Sequence, residues 1–187
     1  MSREEVLSRI RRSLGQKRLG GLGRRAAAQA LMAQPVRHLI PARARQPRSA
    51  LLHNFAGELS RQSADVFEVA SHDRVPAVIA AYLKAHGLPR RLRIGESPLL
   101  ASLPWANIAD LVLSRGPARA EDAVAVSHAL AGVAETGTLV LASGVENPAS
   151  LAFLPEAHVV TIAEESIAGA FEDAFENVRA VYGRNTM

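Results

Sequence analysis

The 187-residue sequence contains no cysteine. Disulfides, thiolate metal sites, thiol nucleophiles and iron–sulfur clusters held by this chain are therefore excluded. Aromatic residues make up only 4%, with a single Trp, so the core must be built from aliphatic side chains and Ala. No apolar run approaches the roughly 20 residues that carry a helix across a bilayer. The opening Met1-Ser2-Arg3-Glu4-Glu5 lacks the apolar stretch of a secretory signal. The expectation is a cytoplasmic protein with no membrane span. The six His residues (His38, His53, His72, His86, His128, His158) show no metal-ligand spacing such as H-x-x-x-H, so no metal site is expected.

Apolar residues, 48% of the chain, suffice for one well-buried domain. Charge is unevenly spread. Residues 1–48 hold eleven Arg and one Lys against two Glu, a balance of +10, and residues 49–187 carry −6, so the net +4 averages a basic arm and an acidic domain. The arm has no aromatic residue for base stacking and no nucleic-acid-binding motif, which disfavours a nucleic-acid partner. Ser2 and Glu5 form a capping-box pattern, and Val6, Leu7, Ile10 and Leu14 share one stripe, predicting an amphipathic helix over 3–14 stopped by Gly15. Gln16 to Ser49 reads as a linker or loosely docked arm, flexible at Gly20-Gly21-Leu22-Gly23, with a brief helix at 26–33. The expected organisation is residues 1–50 as helix plus Arg-rich arm and residues 51–187 as the domain.

In that domain, apolar spacing predicts helices over 51–59, 75–86 and 166–181, with a helical turn at 99–103. Strands are predicted over 65–70, 91–95, 109–114, 139–142 and 158–163. The Ala-rich stretch 121–131 is ambiguous between helix and strand. The alternation predicts an α/β fold with a largely parallel sheet flanked by helices. Ligands in such folds sit beyond the carboxyl ends of strands, which makes Gly95 and Ser97, after the second predicted strand, candidate ligand-binding residues. Gly95-Glu96-Ser97 lacks the further glycines of a dinucleotide fingerprint.

The chemistry-bearing run is Ala134-Glu135-Thr136-Gly137-Thr138. Glu135 is the candidate catalytic residue, as nucleophile, base or acceptor. Thr136, Gly137 and Thr138 are candidate ligand-binding residues, with Gly137 allowing close approach or a positive φ. The competing reading is a solvent-facing hairpin tip. His158 opens a strand and is a further ligand-binding candidate if it faces this turn, and His128 is a weaker one. Ser143 to Pro148 is a loop that either covers the Glu135 site or simply connects strands. Glu164 and Glu165 suit a helix N-terminus, and Trp105 suits a core or interface plug.

The run Gly132 to Leu141, followed by Leu151–Leu154, Pro155 and His158-Val159-Val160, resembles the lactate-utilisation (LUD) domain family, in particular its lactate-utilisation protein C or YkgG-like group. The Arg-rich N-terminal helix is similar to that group as well. The resemblance implies a NagB/RpiA/CoA-transferase-like α/β fold. It implies a role in oxidising L-lactate to pyruvate beside partner proteins that carry the iron–sulfur clusters. It leaves this chain's own cofactor unknown. By fold analogy, Glu135 lies where CoA transferases place a catalytic glutamate. Family members usually continue past the last helix with a further strand and a Gly-Pro-Ser-Arg-Thr-Ala-Asp-like segment, so a shortened member is expected. Three roles follow: a subunit of a lactate-oxidising system with a small-molecule pocket near Glu135, a non-catalytic assembly protein docking iron–sulfur partners, or a CoA-transferase-like enzyme acting alone. A homodimer is a further expectation.

Overall fold

The computed structural model describes residues 3–13, 21–33 and 39–183, so Leu14, Gly15 and the Gln16–Gly20 part of the arm lie outside the described residues. Two compact units are present, Met1–Leu39 and Ile40–Met187. The first holds α1 (Arg3–Ser13) and α2 (Gly21–Ala33). Gly21, Leu22 and Gly23, expected to be flexible, are the first turn of α2. Val6 and Ile10 of α1 are exposed.

The second unit begins ahead of Leu51. A 3-10 turn at Ala42–Arg45 leads into α3 (Arg48–Arg61), α4 (Val75–Ala85), β1 (Arg91–Ile94), α5 (Pro98–Ser102), β2 (Val112–Arg115), β3 (Val124–His128), β4 (Ala131–Val133), β5 (Thr138–Val140), α6 (Ser150–Phe153), β6 (Ala157–Thr161), β7 (Ile167–Ala168) and α7 (Phe171–Tyr182). Four strands form a parallel sheet in the order β2-β1-β3-β6, as the strand–helix alternation predicts. Strand β3 is central, and its first four residues are buried on both faces. That explains the ambiguity of 121–131: a doubly covered strand has no period-two alternation. One face carries Leu92, Ile94, Val124 and Val126 against Ile79 and Leu83 of α4 and Leu100, Leu103 and Trp105. Trp105 is thus a core residue, its indole N–H donating to the Leu100 carbonyl at 2.7 Å. The other face packs Ala125 against Leu151 and Ala118.

A second, three-stranded sheet in the order β5-β4-β7 was not foreseen. Its strands are two or three residues long, below the length at which a sequence pattern is legible. β4 and β5 form an antiparallel hairpin, and β7 runs parallel to β4. Ile167 and Ala168, expected in the last helix, are its third strand, so α7 starts later. Glu164 and Glu165 therefore sit in a 3-10 turn before β7 and not at a helix N-terminus.

The strand predicted over 65–70 does not form. Val66 and Phe67 are exposed, and the Phe67 ring meets Tyr82 of α4 edge-on at 6.0 Å. The segment is largely exposed and has no neighbouring strand to pair with among the described residues.

Arg93 projects from β1 into the face that holds Ala118 and Ala125. Its Nε and Nη2 donate to Asp122 Oδ2 and Oδ1 at 2.7 and 3.2 Å, and Nη1 donates to the Arg115 carbonyl at 3.0 Å. Asp122 also accepts from the Arg119 N–H at 2.8 Å. Burial raises the Asp122 pKa, but the Arg93 and Arg119 hydrogen bonds outweigh it and hold the carboxyl below its usual range. This fork fixes the helix-free crossover from β2 to β3. Asp122→Ala would strand a buried guanidinium, so a loss of about 3–5 kcal/mol is expected, read as a lowered midpoint in urea unfolding.

Candidate functional site

The hairpin turn Ala134–Gly137 joins β4 to β5, with Val133 opposite Thr138. Gly137 adopts φ +65°, in the left-handed region. A Cβ there would also lie 2.8 Å from Glu58 Cβ and 2.9 Å from the Leu59 nitrogen, so the turn is pressed against α3. Gln62 adds a hydrogen bond to the Thr136 carbonyl at 3.2 Å. Thr136 and Thr138 share a hydroxyl–hydroxyl hydrogen bond of 2.8 Å. This is a hairpin tip, but a covered one.

Glu135 donates its backbone N–H to the Gly169 carbonyl at 3.1 Å. Its side chain is 12% exposed and meets Arg43, whose Nε and Nη2 lie 3.1 and 2.7 Å from the same oxygen, Oε1. Arg43 comes from the stretch expected to be a loosely docked arm. It is instead carried by a strap over residues 42–48. Ala44 is buried, and its carbonyl lies so close to Gly169 that any Cβ there would overlap it. Arg48 donates to the Ile167 and Glu164 carbonyls and pairs with the Glu164 carboxylate at 3.7 Å. Arg43 was missed because nothing local marks it among the arm's arginines; the only signal was Gly169, a backbone cleared for close approach.

The other candidates lie elsewhere. Ser97 caps α5, its hydroxyl accepting from the Leu100 N–H at 3.5 Å. Gly95 ends β1 beneath the Ser143–Pro148 loop: a Cβ on Gly95 would overlap the Glu146 carbonyl, and the Glu96 N–H donates to Val145 at 3.3 Å. This loop therefore packs on the carboxyl end of β1. His158 hydrogen-bonds Ser127 on the neighbouring strand β3 at 2.9 Å, within the four-stranded sheet, whereas Glu135 belongs to the three-stranded one. His128 bonds Thr161 at 3.1 Å on the opposite face from His158. Among the described residues no cluster of three His, Asp or Glu side chains could hold a metal ion.

Both histidines are tuned toward neutrality. Burial lowers the His158 pKa. Burial, then the nearby His72 charge, lowers that of His128, against a smaller raising effect from Thr161.

Residues 118–187 match the family model of the LUD domain. A solved structure described as a DUF162 family protein from Deinococcus radiodurans resembles the chain with a TM-score of 0.61 at 21% identity, over 73% of this chain and 83% of that one. DUF162 is the LUD family. A comparison with curated proteins finds no match. The matched segment runs from the crossover that Asp122 anchors to the end of the chain and includes the Glu135 turn.

Two outcomes follow. Gly169 has no positive φ, so only the strap opposes a side chain there. Gly169→Ala should lift the strap, cost roughly 1–3 kcal/mol through overpacking, and speed trypsin cleavage at Arg43 and Arg45. Second, a histidine whose folded pKa lies below its unfolded value of about 6.5 is fully favourable above that pH and loses its contribution as pH falls. Thermal midpoints should therefore drop as pH is lowered from about 7 toward 5, and the His128→Gln/His158→Gln double variant should show a shallower drop.

Proposed function

We propose that the chain, whose residues 118–187 carry the LUD domain, acts in lactate utilisation as the iron–sulfur-free component of an L-lactate-oxidising system. The observation that carries this reading is the Glu135 turn within the matched segment. It gathers one guanidinium, one carboxylate and two hydroxyls at a covered hairpin tip. Such a set suits binding of a small polar acid. It suits autonomous acyl-transfer chemistry less, because the Glu135 carboxylate is occupied by Arg43 and no acid–base partner stands beside it among the described contacts. The role follows: this component holds a small-molecule ligand, and partner proteins with iron–sulfur clusters carry the electrons.

The second reading, an assembly protein, has its own support. In the N-terminal unit, Arg3, Arg9 and Arg12 of α1 are exposed beside Val6 and Ile10. A helix presenting both cations and apolar side chains suits an acidic protein partner. The two readings are compatible within one complex. No described helix is long and apolar enough to cross a membrane.

Deleting the gene should abolish growth on L-lactate while leaving growth on pyruvate intact, and growth on both would sink the lactate role. Removing residues 1–39 should release iron- and sulfide-containing partners from affinity-purified protein; undiminished co-purification would count against the docking role of α1.

A further inference from the structure

We propose that Arg43 is the carboxylate-recognition residue of this site and that Glu135 is its tethered stand-in. A small monocarboxylate with an oxygen on its second carbon, a 2-hydroxy or 2-oxo acid, takes the place of the Glu135 carboxylate on the guanidinium. The inference deepens the lactate-utilisation reading and rests on it.

Three observations carry it. First, Arg43 is positioned independently of Glu135. The strap is held by buried Ala44 against Gly169, by Arg48 on the Ile167 and Glu164 carbonyls, and by the Asn54–Gln46 side-chain hydrogen bond of 2.8 Å. Opening the ion pair therefore leaves the backbone that carries the cation in place. Second, the pairing uses the guanidinium poorly. Nε and Nη2 converge on one oxygen, Oε1, whereas a guanidinium fork is matched by both oxygens of a carboxylate in two parallel hydrogen bonds. A free acid can adopt that bidentate geometry, which the tethered one does not reach. Third, the two partners differ in access. The Arg43 side chain is 65% exposed and the Glu135 side chain 12%. An exposed cation is reachable from solvent, and its side of the pair is screened by water.

The hydroxyls of Thr136 and Thr138 explain the preference for a second oxygen. They hydrogen-bond each other, on the same turn as Glu135. A hydroxyl both donates and accepts, so either can turn to a 2-hydroxy or a 2-oxo group. Acetate offers them nothing.

Isothermal titration calorimetry on the full-length protein tests this, with pyruvate and L-lactate as probes and acetate and inorganic phosphate as comparison anions. Pyruvate or lactate should bind saturably and more tightly than acetate. Arg43→Gln should weaken binding by about tenfold or more, and Arg43→Lys, which keeps the charge and loses the fork, by an intermediate factor. Glu135→Gln removes the competing charge and should tighten binding several-fold, an effect that a purely structural ion pair would not produce. If Arg43→Gln lowers the thermal midpoint, Arg43→Lys and Glu135→Gln carry the test. The proposal is overturned if neither acid binds saturably, if phosphate binds as well as they do, if Arg43→Lys binds like the wild type, or if Glu135→Gln binds no more tightly. Growth is an independent readout. Lactate-dependent growth without carboxylate binding refutes the Arg43 assignment and leaves the metabolic role standing. Binding with no lactate-dependent growth does the reverse.

Discussion

The site depends on three positions in the small sheet region where a methyl group would not fit. At Gly132 a Cβ would stand 2.9 Å from the Phe55 ring, at Gly137 it would meet the backbone of α3, and at Gly169 it would overlap the Ala44 carbonyl. These contacts let residues 42–61 lie directly on a sheet whose strands are too short to support themselves. Phe55, Ala134 and Ile167 close the resulting apolar cluster, with Leu51, Leu52, Leu59, Leu139 and Ile162 around it. The same approach delivers Arg43 to Glu135 across 92 residues of sequence. Core packing and site geometry are therefore one constraint: moving the strap moves the cation.

The two sheets divide the work. The parallel sheet is the rigid part, with its inner strands β1 and β3 buried on both faces and its β2–β3 crossover pinned by the Arg93–Asp122 fork. In folds of this kind ligands gather at the carboxyl ends of the strands. Here the end of β1 is occupied by the protein itself, through the Ser143–Pro148 loop and the Ser97 cap. The polar convergence lies instead on the hairpin tip of the small sheet. That sheet is attached through β3 running on into β4 and through β6 running on into β7.

The fold class was legible because strand–helix alternation survives any error in element ends. Helices α3 and α4 and strands β1, β5 and β6 lie close to where apolar spacing put them. What failed has a common cause, since periodicity reports burial and not the partner that provides it. The 65–70 segment has strand-like residues but no strand beside it, and 121–131 hides its strand because both faces are covered. The Glu-Thr-Gly-Thr turn was legible as a place of polar convergence, and Gly137 does make both the positive φ and the close approach read from it. The partner of Glu135 was not legible. An ion pair between residues so far apart is a tertiary fact, and the composition of residues 1–48 disguised Arg43 as one charge among twelve. Gly95 and Ser97 were read from their place beyond the carboxyl end of a strand, and His158 from the prospect that it faces the turn; the structure gives each a local hydrogen-bonding or packing role around the other sheet.

Tethering sets the scale on which such a site works. A group held in place competes at an effective concentration well above that of a flexibly linked one, which is of order millimolar. Glu135 is held by its backbone bond to Gly169 and by the turn beneath α3, so its carboxylate is presented to Arg43 continuously. A dilute acid would lose to it. On the proposed reading, competition of this kind lowers the apparent affinity for every acid by the same factor, and selectivity would rest on what a ligand adds, the bidentate grip and a second oxygen for the threonine hydroxyls. The ion pair would then set how much acid is needed to open the site, and the groups around Arg43 would decide which acid.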